Sequence, residues 1–137
     1  MTIRDYNGCM PRSRAHKAFD VPTEAQEQTD LVEYLQWRQL TPVHIPNGGK
    51  RSVQGHVLAK KIGECAGFPD LMILDRPPNA PTQRVFIEMK RTKGGTLSEK
   101  QSEWMQRITD NGDIHILAKG CDHALEQLRE LDTGWRL

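Results

Sequence analysis

No stretch of the chain approaches the roughly 18 consecutive apolar residues that cross a bilayer, and no basic-then-apolar leader opens it. A membrane span and a secretory signal are therefore not expected, and a cytoplasmic protein is. Nor is there an excess of either charge. Lys and Arg number 19 against 18 Asp and Glu, a formal net charge of +1, so the basic surplus that usually accompanies phosphate binding is missing and any nucleic-acid surface has to be a local patch. Cysteine is sparse. Cys9, Cys65 and Cys121 have no CxxC pairing or zinc-type histidine spacing, which argues against a structural zinc and for free thiols. The five histidines form no helical pair with a carboxylate, so none is assigned to a metal or to base catalysis. Internal repeats are absent as well.

What remains is an ordinary globular composition, 36% hydrophobic and 27% charged over 137 residues, enough for one core and hardly for two. Residues 1–21, with Pro11, Arg12, Arg14, His16 and Lys17 and little apolar periodicity, read as an N-terminal arm, and residues 22–137 as the folded domain. Thr23 and Gln26 form a capping box, and Leu31 and Leu35 supply an apolar stripe, so a first helix is expected to run to about Arg38. At 100° per residue Glu24 projects within about 20° of both leucines, which puts a carboxylate on the buried face. Pro42 to Pro46 is a strand candidate. Asn47-Gly48-Gly49 makes a tight loop, and Ser52 caps a second helix to about Glu64 with Val53, Val57 and Ile62 as its apolar contacts.

Asp70 to Leu74 reads as a buried strand after Gly67-Phe68-Pro69, Arg76 to Pro81 as a loop, and Val85 to Lys90 as the next strand. Ser98 and Gln101 are a second capping box, opening a helix with Trp104, Met105 and Ile108 that Asn111-Gly112 ends. Ile114 to Ala118 is a further strand, and Asp122 caps a last helix carrying Leu125, Leu128 and Leu131. Helix, strand, helix, strand, strand, helix, strand, helix predicts an α/β sandwich around a mixed sheet flanked by helices.

The chemistry is announced by Glu88 and Lys90 inside an otherwise apolar strand. Alternation sends both to one face, where desolvating them costs several kcal/mol unless something compensates. If the strands around Asn79 form an antiparallel hairpin, Asp70 and Glu88 are equidistant from its centre and face each other. Two such carboxylates repel when ionised, and a divalent cation relieves the repulsion by taking their oxygens as ligands. Magnesium suits one or two carboxylates, several waters and a further oxygen from the Met89 carbonyl. It would acidify a bound water and neutralise charge on a phosphodiester, with Lys90 positioning that water or the developing charge.

Four segments in order then resemble the VRR-NUC branch of the PD-(D/E)xK nuclease superfamily across about residues 23–131. They are Glu24-Ala25-Gln26-Glu27-Gln28, Ile45 to Arg51, Ala66 to Leu71, and Phe86 to Lys90 followed by Leu97-Ser98 and Gln101. The resemblance implies a restriction-endonuclease-like sandwich and a magnesium- or manganese-dependent DNA phosphodiesterase, with no organic cofactor. Its helical carboxylate falls on Glu24, with Gln28 one turn later, its aspartate on Asp70, and its Glu-x-Lys on Glu88 and Lys90. Glu27 competes with Glu24, both lying on the first helical turns. Small standalone members, often of phage origin and so active in a bacterial host's cytoplasm, resemble resolvers of four-way (Holliday) junctions that work as homodimers. A flap-directed or sequence-specific endonuclease, a non-catalytic DNA-binding module and a protein-interaction subunit stay open as rivals.

Gln101 has two readings, reciprocal capping with Ser98 and a place near the scissile phosphate or metal water. Asn47, Lys50 and Arg51 join a glycine-permitted backbone approach to flanking positive charge, which suits phosphate contact, and Arg91 and Lys93 extend the patch. Tyr34, Trp37 and Trp135 are candidates for a dimer face.

Overall fold

The computed structural model describes residues 21–137, so the expected arm and Cys9 lie outside the described residues. Helix α1 (Glu24–Trp37) is followed by β1 (Pro42–His44), α2 (Val53–Lys61), β2 (Leu71–Ile73) and β3 (Val85–Lys90). Then come α3 (Glu99–Asp110), β4 (Ile114–Lys119) and α4 (Cys121–Glu130). Both capping boxes form: the Thr23 and Ser98 hydroxyls accept from the backbone N–H of Gln26 and Gln101, whose side chains return to the cap N–H. These local devices fix where α1 and α3 start.

The four strands make one mixed sheet in the order β1-β2-β3-β4, antiparallel except for the parallel pair β3-β4. Leu71 faces Ile87 and Ile73 faces Val85, a register symmetric about residue 79, as the hairpin reading expected. One face of the sheet carries Leu71, Ile73, Val85, Ile87, Met89, Ile116 and Ala118. It closes on Leu31, Tyr34 and Leu35 of α1 and on Ala124, Leu125 and Leu128 of α4. The other face lies under α3, where the Phe68 ring meets Phe86 and Trp104 edge-on at 5.6 and 5.0 Å between centroids. Every residue of β3 is therefore buried, Glu88 and Lys90 included.

Several expectations need correction. Glu24 is exposed, and the buried carboxylate of α1 is Glu27 at 1%. The angular argument was sound, but Glu24 precedes Leu31 by seven residues, about 10 Å along the axis, and so overhangs the end of the core. Asp122 does not cap α4. Gly120 does, at φ 93° and without a side-chain hydrogen bond, and the missing acceptor comes from Glu27, whose Oε2 takes the Cys121 N–H at 2.8 Å. Cys121 is disulfide-bonded, not free, while Cys65 is a free and exposed thiol. Tyr34 is buried at 2% and leaves the candidate dimer face.

α2 differs most. Val53, Val57, Leu58 and Ile62 are 78, 51, 59 and 75% exposed, and the helix packs extensively against no other described element. Its apolar side faces outward, while Ala59 is its buried residue. No described helix is long and apolar enough to cross a membrane.

Candidate active site

The site forms where β2 gives out beside β3. Pairing of the two strands ends at Leu71 and Ile87, and Asp70, the next residue, turns its side chain onto β3: Oδ2 accepts the Met89 N–H at 2.8 Å. The carboxylate thus continues a ladder that the backbone has left, directly beside Glu88. A strand residue's N–H and C=O project to the same edge, so the Met89 carbonyl also faces the gap beyond Leu71.

Glu88 and Lys90 share a face, as alternation requires, with Lys90 Nζ 3.5 Å from Glu88 Oε1 and both side chains almost wholly buried. Gln101 reaches the same oxygen, its Nε2 donating to Oε1 at 2.6 Å while its Oε1 accepts the Ser98 N–H at 2.9 Å. One amide therefore caps α3, as the first reading of Gln101 expected, and also fixes Glu88. Both contacts fall on Oε1, and Oε2 takes no hydrogen bond among the described residues.

Electrostatics mark Glu88 as the strained member. Its pKa is raised to about 7, first by burial and next by the Asp70 charge, with Glu24 adding to the rise and Lys90 opposing it. Exposed Glu24 is therefore within electrostatic reach of Glu88. Glu27, bound to the α4 N-terminus, performs a different, structural task, which separates the two carboxylates that the sequence left in competition. Among the described residues no group of three or more His, Cys, Asp or Glu side chains is close enough to hold a metal by itself. An acceptor set of two carboxylates and a carbonyl nevertheless fits magnesium, which keeps most of its waters.

The candidate DNA contacts divide. Lys50, Arg91 and Lys93 are exposed. Arg51 is drawn onto Glu64 at 2.6 Å, and the Gly48 N–H donates to the same carboxylate at 2.8 Å, so this arginine shapes its loop. Asn47 is half-buried, its Nδ2 donating to the Phe68 carbonyl at 3.1 Å.

Two neighbours of the cluster were missed by sequence reasoning. Lys119 ends β4 opposite Lys90 and so shares its face, exposed; only the parallel register, which no local pattern reveals, brings the two lysines together. His44 ends β1 with Nδ1 3.0 Å from both Gln28 Nε2 and the Asp70 carbonyl oxygen, of which it can serve one at a time. Its pairing with Leu71 is the signal that would have placed it beside Asp70.

The family model described as "VRR-NUC domain" matches residues 22–122. Among solved structures, the chain is similar to one titled "VRR_NUC domain protein", with a TM-score of 0.64 at 20% identity over 80% of this chain and 88% of that one. At that identity the likeness speaks for the fold. No curated protein sequence matches the chain. With the family model spanning residues 22–122, the chain belongs to the VRR-NUC domain family, a family of nuclease-type domains.

Proposed function

We propose that the chain is a magnesium- or manganese-dependent DNA endonuclease acting in the cytoplasm, cutting branched DNA with two symmetric nicks as a homodimer. The observation that carries this reading is the Asp70–Glu88 pair. Two carboxylates sit at the end of a strand pair, one of them with its pKa raised to about 7 by burial and by the other's charge. A cation relieves that repulsion.

The oxygens suited to hold the ion are Asp70 Oδ1, Glu88 Oε2 and the Met89 carbonyl, with Glu24 at the open side acting on the ion or its water. When bound, such an ion supplies Lewis-acid charge and a more acidic water. Lys90, held against Glu88 Oε1, orients the attacking water or balances the charge that grows on the phosphodiester oxygens. Gln101 keeps Glu88 from turning away. Lys50, Arg91, Lys93, Lys119 and the Asn47 loop provide the local patch that a nearly neutral chain needs for phosphate contact.

The outward apolar side of α2 supports the homodimer. Val53, Val57 and Leu58 belong to the helix that directly follows the 47–51 loop, and pairing two copies there would bring two sites to one substrate. The test is cleavage of end-labelled four-way junction, flap and plain duplex in magnesium, in EDTA, and by Lys90→Ala and Asp70→Asn. Paired symmetric nicks on the junction, abolished in EDTA and reduced at least a hundredfold in both variants, are expected. Cutting confined to flaps or to a duplex sequence would replace the junction substrate, and no cutting in magnesium or manganese would overturn the enzyme.

A further inference from the structure

A cavity of about 390 Å³, lined by none of the carboxylate cluster's residues but by their chain neighbours, is left unused by the cleavage chemistry. Its walls are Ile45, Pro46, Phe68 and Trp104, with Asn47 and the exposed Cys65 among its polar lining. The walls are tied to the cluster by the chain itself. Phe68 precedes Asp70 by two residues, the Ile45 N–H donates to the Asp70 carbonyl at 2.8 Å, and Trp104 follows Gln101 by one turn of α3.

Three features point to the occupant. The volume sits at the small end of ligand pockets, which run from about 300 to 1,000 Å³, and so accepts a planar ring of nucleobase size and excludes a duplex. Trp104 is set in advance, its Nε1 donating to the Ala66 carbonyl at 3.2 Å and its ring held edge-on by Phe68. A ring needing no reordering is what a stacked base favours. Asn47 spends its Nδ2 on the Phe68 carbonyl, while its Oδ1 is buried with no partner. Every nucleobase carries an N–H that can meet such an acceptor. Lys50, three residues on, is exposed and brings a positive charge to the same loop.

We infer that this cavity is a nucleobase pocket, receiving one base unstacked from the cleaved strand next to the scissile phosphate, between Trp104 and the Ile45-Pro46 wall with Asn47 at its edge. The inference rests on the nuclease reading. It makes selectivity for distorted DNA a property of the site itself, because a base at a branch or mismatch leaves the stack at lower cost than one in a continuous duplex.

The experiment walks an abasic analogue through the three nucleotides on each side of the cut in whichever DNA the full chain cleaves. Binding is measured in calcium, without turnover, and cleavage of the intact DNA in magnesium is run alongside. At one position the missing base is expected to weaken binding about tenfold, within the fivefold to hundredfold that a stacked base contributes. Trp104→Ala, which removes the stacking surface, and Cys65→Glu, which closes the mouth from an exposed position and spares the core, should bind the intact and abasic DNA equally. Magnesium-dependent cutting with no abasic penalty at any position, or with a penalty unchanged in both variants, would overturn the pocket and leave the nuclease standing. Absence of cutting would overturn both.

Discussion

Replacing Glu88 by glutamine should make the protein more stable at alkaline pH, not less. Folding pushes the Glu88 pKa up from its ordinary 4.5 to about 7, first by burial and next by the Asp70 charge, so the group becomes harder to ionise. The sign follows directly. Below pH 4.5 the carboxyl is protonated in both states and contributes no difference. Between 4.5 and 7 the unfolded chain releases its proton and the folded one retains it, so stability falls, and above 7 the full penalty is in place. That rise is worth about 3 kcal/mol.

Glutamine imitates the protonated group and keeps an oxygen for Gln101 Nε2, while depriving Lys90 of the anion at 3.5 Å. That last loss needs no separate allowance, because the Lys90 contact already opposes the rise of the Glu88 pKa and is contained in it. The clean quantity is therefore the stability of Glu88→Gln minus that of wild type, which should grow by about 3 kcal/mol from pH 4.5 to pH 8 in EDTA. Urea unfolding at several pH values measures it. Near pH 8 the variant should melt several degrees higher. A difference that stays flat within about 0.5 kcal/mol, or shrinks as pH rises, would refute the account of Glu88 as a buried, repelled carboxylate. Adding magnesium at pH 8 should narrow the gap by stabilising wild type alone, since the variant lacks the second charge that holds the ion.

Glu24 and Glu27 should part company when each is changed to alanine. Glu24→Ala, at an exposed position, should leave urea stability within about 0.5 kcal/mol and lower magnesium-dependent cleavage at least tenfold. Glu27→Ala should cost about 2 kcal/mol by stripping the Cys121 N–H of its acceptor while the folded fraction retains activity. The reverse pattern would exchange their roles. At Gly67, where φ is +84°, an added Cβ would stand 2.8 Å from the Lys100 backbone. Gly67→Ala should therefore destabilise by more than about 1 kcal/mol and reduce cleavage by displacing the start of α3, where Gln101 sits; wild-type cleavage and melting together would contradict that packing.

The sequence disclosed whatever depends on neighbours a few residues apart. Thr23 with Gln26 and Ser98 with Gln101 announce helix starts because a capping box spans one turn. The pairing of Asp70 with Glu88 was legible only in part: a slip by one residue would turn Leu71 and Ile73 away from the face of Val85 and Ile87, while the choice among even slips rested on symmetry about Asn79, which the observed register bears out. Contacts across long loops were not. Glu27 serves a helix start 94 residues away, and Lys119 meets Lys90 through a parallel register that no turn chemistry sets. α2 misled for a different reason. Val53 and Val57 do lie one turn apart on one side of α2, and apolar residues so spaced say that a face will be covered, not that the same chain covers it.

Asp70 and Gln101 share a further property that affects how the site is tested. Each side chain is both a structural element and a member of the cluster: Asp70 Oδ2 replaces a missing ladder acceptor for the Met89 N–H, and Gln101 closes the cap of α3 while holding Glu88. Alanine at either position removes anchorage and chemistry together, so lost cleavage would not say which mattered. Asparagine at 70 retains an oxygen for the Met89 N–H and gives up only the charge. Unchanged melting with lost magnesium dependence would then assign Asp70 to the cation, whereas a large fall in melting would assign it to the strand end. The Asp70→Asn arm of the cleavage test therefore carries more information than any alanine in the site.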